Sequence, residues 1–469
     1  VNETFAIVLA AGLGTRMKSK IHKVLHPLCG KPMIRHVTDS LRTTGVGRLL
    51  VVVGTYAEQI EQELESEVEY VRQDQQLGTG HAVMQAREVI GNLEGYTLVC
   101  YGDTPLVTSD TYKLLLSVHQ ESGSAVTMLT AVVENPTGLG RIVRNEAGEV
   151  LRIVEEKDAS TDEKRIREIN PGLYCFTNSV LFRALDQVQN HNAQGEYYLT
   201  DCIQIIKKMG HTVKSLAVSN AHEVLGINDR IQLAQLNKML RDTINESHMR
   251  NGVTLIDPHT TYIDSKVSIG EDTVIGPGVT LSGSTSIGKG CYIGSGSQIE
   301  SSTLGEQITI HSSIIRDSVI AEEASIGPFA FIRPGSVIGK GVKVGDFVEV
   351  KNSTIGEGSK IPHLAYVGDS DIGQNTNIGC GVITVNFDGV NKHRTTVGDD
   401  SFVGSNTNLI APVTIGKEVY IATGSTITND VPDGAFAIAR ERQVTKANYV
   451  KHLRGRLLNA GKRELTINR

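Results

Sequence analysis

Hydrophobic positions along the chain fall into two textures. Up to about residue 228, short apolar runs (FAIVLA, LLVVVG, YTLVCYGD, AVTMLTAVV, GLYCFT) alternate with segments of helical period such as PMIRHVTDSLRTTG and HAVMQAREVI. Strands alternating with helices predict an α/β domain on a largely parallel sheet. Ligands of such sheets sit beyond the carboxyl ends of the strands, where LAAGLG and YGDTP fall. Asp229 to Arg250 then reads as one helix: Asp229 or Asn228 can cap its start, Leu233, Leu236, Leu240 and Ile244 share a face, and Asn251-Gly252 stops it. At the α-helical rise it would span roughly 33 Å. It serves equally as an ordinary packed helix or as a connector between two domains.

From Ile269 the period changes. Ile269, Ile275, Leu281, Ile287, Ile293 and Ile299 stand six apart, and the same step links Ile314, Ile320, Ile326, Ile332, Ile338, Val344 and Val350. It returns through Ile355, Ile361 and Val367, and again through Val397, Val403, Leu409, Ile415, Ile421 and Ile427. Neither a helix nor an alternating strand has this period; it predicts a parallel β-helix of hexapeptide repeats. The aliphatic residue points into the prism, and the glycine or small residue after it allows the bend, often at positive φ. The step is lost between Ile378 and Val397, across GCGVITVNFDGVNKHRTT, so a loop is expected to leave the prism there. Such loops concentrate binding groups. Residues 441–469 are rich in lysine and arginine and carry no hexads, which reads as a helix or a frayed tail.

Composition narrows the function. A chain of 469 residues implies two or three domains. A net charge of −6 argues against a general nucleic-acid binder, whose footprint is basic. No apolar stretch reaches the ~18–20 residues of a membrane span. The N-terminal apolar run lacks a basic flank and reads as a strand rather than a signal peptide. Cysteines 29, 100, 175, 202, 291 and 380 are scattered without a C-x-x-C pair, so neither a zinc site nor a disulfide framework is expected, and a reduced cytoplasmic setting fits.

Candidate chemistry begins at LAAGLGTRMKSKIHKVL. A strand that breaks into glycines and then into Arg16, Lys18, Lys20 and Lys23 suits a phosphate-bearing ligand. It is not G-x-G-x-x-G, because Met17 holds the place of the third glycine, and no Walker A sequence can be read there. Asp103 follows the strand LVCYG, at a strand end, where a lone Asp reads by itself as a turn former. His363, in IPHLAYVGD, taken alone reads as a corner or surface histidine sooner than as a base.

LAAGLGTRMKS resembles the nucleotide-sugar pyrophosphorylase signature L-A-A-G-x-G-T-R-M, which glucose-1-phosphate thymidylyltransferases and ADP-glucose or GDP-mannose pyrophosphorylases share. QLGTGHA (76–82), YGDTPL (101–106), NPTGLGRI (135–142), EEKDA (155–159), NAQGEYYLTD (192–201) and GIND (226–229) narrow the likeness, and HLAYVGD (363–369) and NFDGVNK (386–392) extend it into the hexads. Together they resemble the bifunctional bacterial N-acetylglucosamine-1-phosphate uridyltransferase / glucosamine-1-phosphate N-acetyltransferase family along essentially the whole chain. The resemblance implies a Rossmann-like nucleotidyltransferase domain (1–228), a linker helix (229–251), a left-handed β-helix acetyltransferase domain (252–440) and a basic tail (441–469).

The same resemblance implies site residues. Leu9, Ala10, Ala11, Gly12 and Gly14 would approach UTP through their backbone, with Arg16 and Lys23 on its phosphates; Gln73, Gln76, Gly78 and Thr79 would read the uracil. Gly140, Glu155, Asn170 and Tyr198 would hold the amino sugar, although Pro171 stands where threonine is common. Asp103 and Asn228 would ligate Mg²⁺, which takes few protein oxygens plus phosphate. In the second half an amine attacking a thioester must shed a proton, a task for His363. Arg333 and Lys351 would bind the phosphate of glucosamine 1-phosphate, and Tyr366 and Asn377 would position its sugar. Cys380, Asn386, Phe387, Ser405, Thr423 and Arg440 would lie along the acetyl-CoA groove; Phe387 replaces a frequent tyrosine, and Thr423 and Cys380 replace alanines. Direct acetyl transfer is expected, with an acetyl-Cys380 intermediate as the alternative. A homotrimer with sites assembled between subunits is also implied. Two rivals remain: a nucleotidyltransferase with a passive solenoid, and a non-catalytic scaffold.

Overall fold

The computed structural model describes residues 3–459, and side chains to residue 456; the end of the basic tail, residues 460–469, lies outside the described residues. Two compact units emerge: residues 1–267 with 280–283, and residues 268–279 with 284–469.

In the first unit FAIVLA forms the strand Glu3–Leu9, with Phe5, Ile7 and Leu9 in one core and Ala6, Val8 and Ala10 in another. A strand buried on both faces needs a continuous apolar run rather than alternation. Glu3–Leu9 lies between Arg48–Val53 and Gly95–Tyr101, parallel to both, and Glu69–Arg72 extends the sheet in parallel. Beyond Gly95–Tyr101 the sheet is mixed, a departure from the largely parallel expectation. Tyr174–Thr177, the run YCFT, lies antiparallel between Gly95–Tyr101 and Val126–Val132. Three further strands continue antiparallel, and Val213–Ala217 joins Val126–Val132 in parallel. HAVMQAREVI is covered by two short helices, Thr79–Met84 and Arg87–Ile90.

The helix expected after residue 228 is Arg230–Arg250, and the Asp229 side chain caps it by accepting from the Ile231 and Gln232 amides at 2.9 Å each. Leu236 is buried with Leu28, Met33 and Ile227, and Leu233 and Leu240 pack on that cluster. This face docks within the first unit.

In the second unit successive coils lay short parallel strands on three sheets of eleven, ten and nine strands. Ile326 pairs with Val344, 18 residues on, and Val344 with Ile361, 17 residues on. The expected aliphatics point inward with three refinements. Ile315 is the fully buried residue and Ile314 is half-buried, because the coils shorten here and Leu304, Ile310, Ile315 and Ile320 follow at steps of five and six. The hexad after Ile378 is kept by a polar residue: Thr384 is 1% exposed in the strand Ile383–Val385, so the excursion is confined to residues 386–394. Finally, the glycine after an inward aliphatic is in most coils not the positive-φ position, which lies two residues later, as at Asp272 and Gly278; Gly327, at φ +99° after Ile326, is an exception. A Cβ on Gly270 or Gly276 would instead lie 2.7–2.8 Å from backbone atoms of the next coil, so these glycines permit close stacking. The basic tail forms a helix, Tyr449–Asn459.

Candidate active sites

Leu9 and Tyr101 are register partners at the carboxyl ends of neighbouring parallel strands, so Ala10–Gly12 and Gly102–Asp103 leave the sheet side by side. There they border a cavity of about 330 Å³ lined also by Lys23, Gln73, Gln76, Gly78 and Thr79. Leu9, Ala10, Ala11, Gly12 and Asp103 thus meet residues more than sixty positions away in sequence. Gln76 Nε2 donates to the Ala11 carbonyl at 2.7 Å, and Gln73 Nε2 donates to the Gly78 carbonyl at 3.0 Å. Gly14 has φ +60° and a Cβ there would lie 2.6 Å from Lys23 Cβ, so glycine lets the turn close over the lysine. Lys23 Nζ contacts the Asp103 carboxylate and donates to Asn228 Oδ1 at 3.2 Å. Arg16 lies exposed in the short turn Thr15–Met17 and does not line the cavity.

Gly140, Glu155, Asn170 and Tyr198 are placed off that cavity, on neighbouring elements. Thr200 Oγ1 donates to Glu155 Oε1 at 3.2 Å, and burial pushes the Glu155 carboxyl above its ordinary range. A Cβ on Gly140 would approach that carboxylate to 3.5 Å. Asn170 Nδ2 donates to the Tyr174 hydroxyl at 2.7 Å, and the Tyr198 hydroxyl accepts from Gln194 at 2.8 Å. Tyr101 borders the cavity, and Glu155 is among the charges that raise its phenol, behind burial as the first cause. Sequence reasoning passed over Tyr101, His22 and Glu196, all of which line the cavity.

The second constellation surrounds one corner of the β-helix. His363 ends the strand Lys360–His363, and its Nδ1 donates to Asp346 Oδ1 at 2.5 Å from the coil before it. Around the corner, Glu349 is in register with Tyr366 and accepts from Arg333 Nη1 at 2.7 Å. Asp369, 5% exposed, gathers Lys351 at 3.4 Å, Asn352 at 2.6 Å and Asn386 at 2.5 Å. Lys392, on the loop, has its ammonium depressed chiefly by Lys351, with Arg333 also contributing, so three cations face one small region. Asn386 also donates to the Tyr366 hydroxyl at 3.4 Å, which seats it with the cations rather than along the column of corner residues. Asn377 is level with Lys360, on the sheet that carries His363 and not on that of Tyr366.

Cys380, Ser405 and Thr423 occupy the corresponding corner in later coils. The Asn406 amide donates to Cys380 O at 2.7 Å and the Gly424 amide to Ser405 O at 2.8 Å. A Cβ on Gly424 would lie 3.8 Å from Arg440 Cδ, so Arg440 follows in the same column. Phe387 is exposed on the loop, bridged to Lys392. Asp346, Asp369 and Lys392 were not singled out in sequence. A step of one coil back from His363 points to Asp346, and the other two stand inside the quoted motifs YVGD and NFDGVNK.

Among the described residues no helix is long and apolar enough to cross a membrane, and no group of three or more His, Cys, Asp and Glu side chains is placed to hold a metal ion.

Comparison with known proteins agrees with both halves. Residues 6–198 match the MobA-like NTP transferase domain family, residues 246–350 the EIF2B subunit epsilon LbH domain, residues 315–387 the GMPPB C-terminal domain, and residues 394–429 the bacterial transferase hexapeptide repeats. The bifunctional protein GlmU of Geobacillus thermodenitrificans (strain NG80-2) is 54% identical over 452 residues, covering 96% of this chain and 98% of that protein. GlmU of Geobacillus sp. (strain WCH70) is 53% identical over 96% of this chain and 98% of its own, and that of Listeria monocytogenes serotype 4a (strain HCC23) 51% identical over 97% and 99%. With such identity along nearly its full length, and with both a nucleotidyltransferase half and a hexapeptide half, the chain belongs to the GlmU family, the bifunctional uridyltransferases and acetyltransferases of UDP-N-acetylglucosamine synthesis.

Proposed function

We propose that residues 1–228 transfer the uridylyl group from UTP to N-acetylglucosamine 1-phosphate in a Mg²⁺-dependent step. Residues 252–440 would acetylate glucosamine 1-phosphate from acetyl-CoA, with 229–251 as linker and 441–469 as a basic tail. The observation that carries the first assignment is the convergence of Asp103 and Asn228 oxygens on one cation, the Lys23 ammonium. Two hard oxygen donors aimed at one point suit Mg²⁺, which completes its shell with phosphate oxygens and water. When bound, the ion neutralises charge on the phosphates of UTP. Asp103 and Asn228 would hold it, while Lys23, released from them, reaches a phosphate together with Arg16. Amides of Ala11 to Gly14 approach the phosphates, Gln73, Gln76, Gly78 and Thr79 surround the base, and Gly140, Glu155, Asn170 and Tyr198 hold the sugar. The attacking phosphate oxygen is already anionic, so the residues align and neutralise, and no general base is needed.

In the acetyl-transfer site His363 takes the proton of the attacking amine. Arg333, Lys351 and Lys392 bind the sugar phosphate, and Tyr366 and Asn377 orient the ring. Cys380, Asn386, Phe387, Ser405, Thr423 and Arg440 contact acetyl-CoA, and transfer is direct. The working form is a homotrimer. In its favour, the corner of His363 carries an exposed apolar column: Phe329 stacks on Phe347 at 5.5 Å, and Leu364 follows one coil on. A surface of this kind suits a second copy of the chain. UTP and acetyl-CoA are intracellular metabolites, which puts the reactions in the cytoplasm.

Separate assays test the reading. Asp103→Ala abolishes uridylyl transfer and spares acetylation; His363→Ala does the reverse. Retained magnesium-dependent turnover in Asp103→Ala removes Asp103 from the metal site, and Cys380→Ala kinetics as poor as those of His363→Ala favour an acetyl-enzyme.

A further inference from the structure

We propose that Asp346 is a positioning residue for acetyl transfer: its carboxylate holds the His363 imidazole by Nδ1 and leaves Nε2 bare to take the proton of the amine. This rests on the reading of His363 as the base.

The two residues are register partners on adjacent parallel strands, 17 residues apart in sequence and one coil apart in space. The His363 side chain is 58% exposed, and its bond to Asp346 is its one side-chain hydrogen bond among the described residues. An imidazole on an exposed corner samples several rotamers unless something anchors it. A neutral imidazole donates from one nitrogen and accepts at the other, whereas an ionised carboxylate only accepts. The proton therefore resides on Nδ1, and the lone pair on Nε2. The hydrogen bond to His363 holds the Asp346 carboxyl below its ordinary range, so it stays ionised wherever the imidazole works.

The step balances. The amine nitrogen bonds to the thioester carbon, its proton passes to Nε2, the C–S bond breaks, and the departing thiolate takes that proton from the imidazolium. While the imidazolium lasts, Asp346 faces it with the opposite charge. The other charged groups are set differently. Lys343 and Lys360 start the same two strands, in register with each other. The coil above brings Asn377–Ile378 and then the Cys380 thiol, and across the corner Glu349 is engaged by Arg333. Asp346 is the carboxylate in contact with the ring.

The test uses the full-length protein with Asp346→Ala, Asp346→Asn, His363→Ala and the double variant, with the circular-dichroism melt of each variant as the folding control. Asp346→Ala lowers kcat for acetylation roughly 10–100-fold, the range for loss of an orienting carboxylate, and leaves KM for glucosamine 1-phosphate within about twofold. In Asp346→Asn the amide oxygen still accepts from Nδ1, so turnover stays within about threefold of the parent, a rescue by the conservative variant that a merely structural role would not give. In the His363→Ala background the loss of Asp346 has no further effect. Wild-type kcat in both Asp346 variants overturns the proposal, as does a kcat in Asp346→Asn as low as in Asp346→Ala, or an equal loss of kcat in the His363→Ala background. Wild-type acetylation by His363→Ala alone is a separate failure, that of the base assignment beneath it.

Discussion

Mild acid should destabilise the nucleotidyltransferase half, chiefly through two buried histidines that lie outside its cavity. His119 is 1% exposed, shares hydrogen bonds with Thr127 at 3.0 Å and Thr177 at 3.3 Å, and meets the Tyr96 ring edge-on. His36 is 8% exposed and bonded to the Leu28 carbonyl at 2.9 Å. Burial lowers both imidazoles from 6.5 to about 4. The unfolded chain takes up these protons below pH 6.5 and the folded chain does not until about pH 4, so stability is complete above 6.5 and falls as the pH drops through that window. Each residue then costs about 1.4 kcal/mol at pH 5.5, or about 3 kcal/mol for the pair, a large share of the ~5–15 kcal/mol that holds a domain. His22, His26 and His248 are also lowered, chiefly by burial, and add in the same direction; all five belong to the first unit. Carboxylates held down by arginines, such as Glu67 and Glu69, are lost only at lower pH.

The assay is urea denaturation at pH 7.5, 6.5, 5.5 and 5.0, read as each activity recovered on transfer to a common assay at pH 7.5. The urea midpoint for uridylyl transfer should fall steadily below pH 6.5, and His119→Asn should remove at most about half of that slope, since four other histidines contribute to it. A midpoint unchanged between pH 7.5 and 5.0, with His119→Asn indistinguishable from the parent, refutes the reasoning.

Other outcomes follow from particular contacts. Gly404→Ala puts a methyl 2.5 Å from the Thr423 amide nitrogen and 2.6 Å from the Ile421 carbonyl. Overpacking of this kind costs about 1–3 kcal/mol, so acetylation should lose heat resistance while uridylyl transfer keeps its own. Ile332→Ala empties a fully buried site between Ile315 and Val350, next to Arg333, and should cost about 2–5 kcal/mol; denaturant melts and KM for glucosamine 1-phosphate would register it. Glu155 has its folded pKa raised by burial, so its ionised form opposes folding above the unfolded value and the penalty vanishes as pH falls below it. Glu155→Gln should therefore melt higher at pH 7.5, with the gap closing toward pH ~4.3, while uridylyl transfer weakens.

How much of this was legible depends on whether a residue's role is local. The strand FAIVLA and the hexad step are written in consecutive residues, and both survive in the structure. The direction of YCFT is not, because an apolar run buried on both faces carries no sign of parallel or antiparallel pairing. Ile314-Ile315 offers two inward candidates, and only the shortened coils below decide between them. Thr384 escaped because a buried hydroxyl can replace an aliphatic when it bonds to the backbone, here to the Gly368 carbonyl at 3.0 Å. At the sites, LAAGLG and Asp103 were visible as strand ends, but the lysine that ties Asp103 to Asn228 spans separations of 80 and 205 residues. Asp346 was within reach of arithmetic, since the coil length subtracted from 363 lands on it.

A solenoid turns sequence interval into height. Adjacent strands stand about 4.8 Å apart, so the 17 residues between Asp346 and His363 amount to a single storey. Duplicating one whole turn in the lower floors, before residue 326, would make a taller tower with its acetylating corner unaltered. The same insertion between residues 346 and 363 would put the two side chains two floors apart and take the anchor from the imidazole without disturbing a single hydrophobic layer.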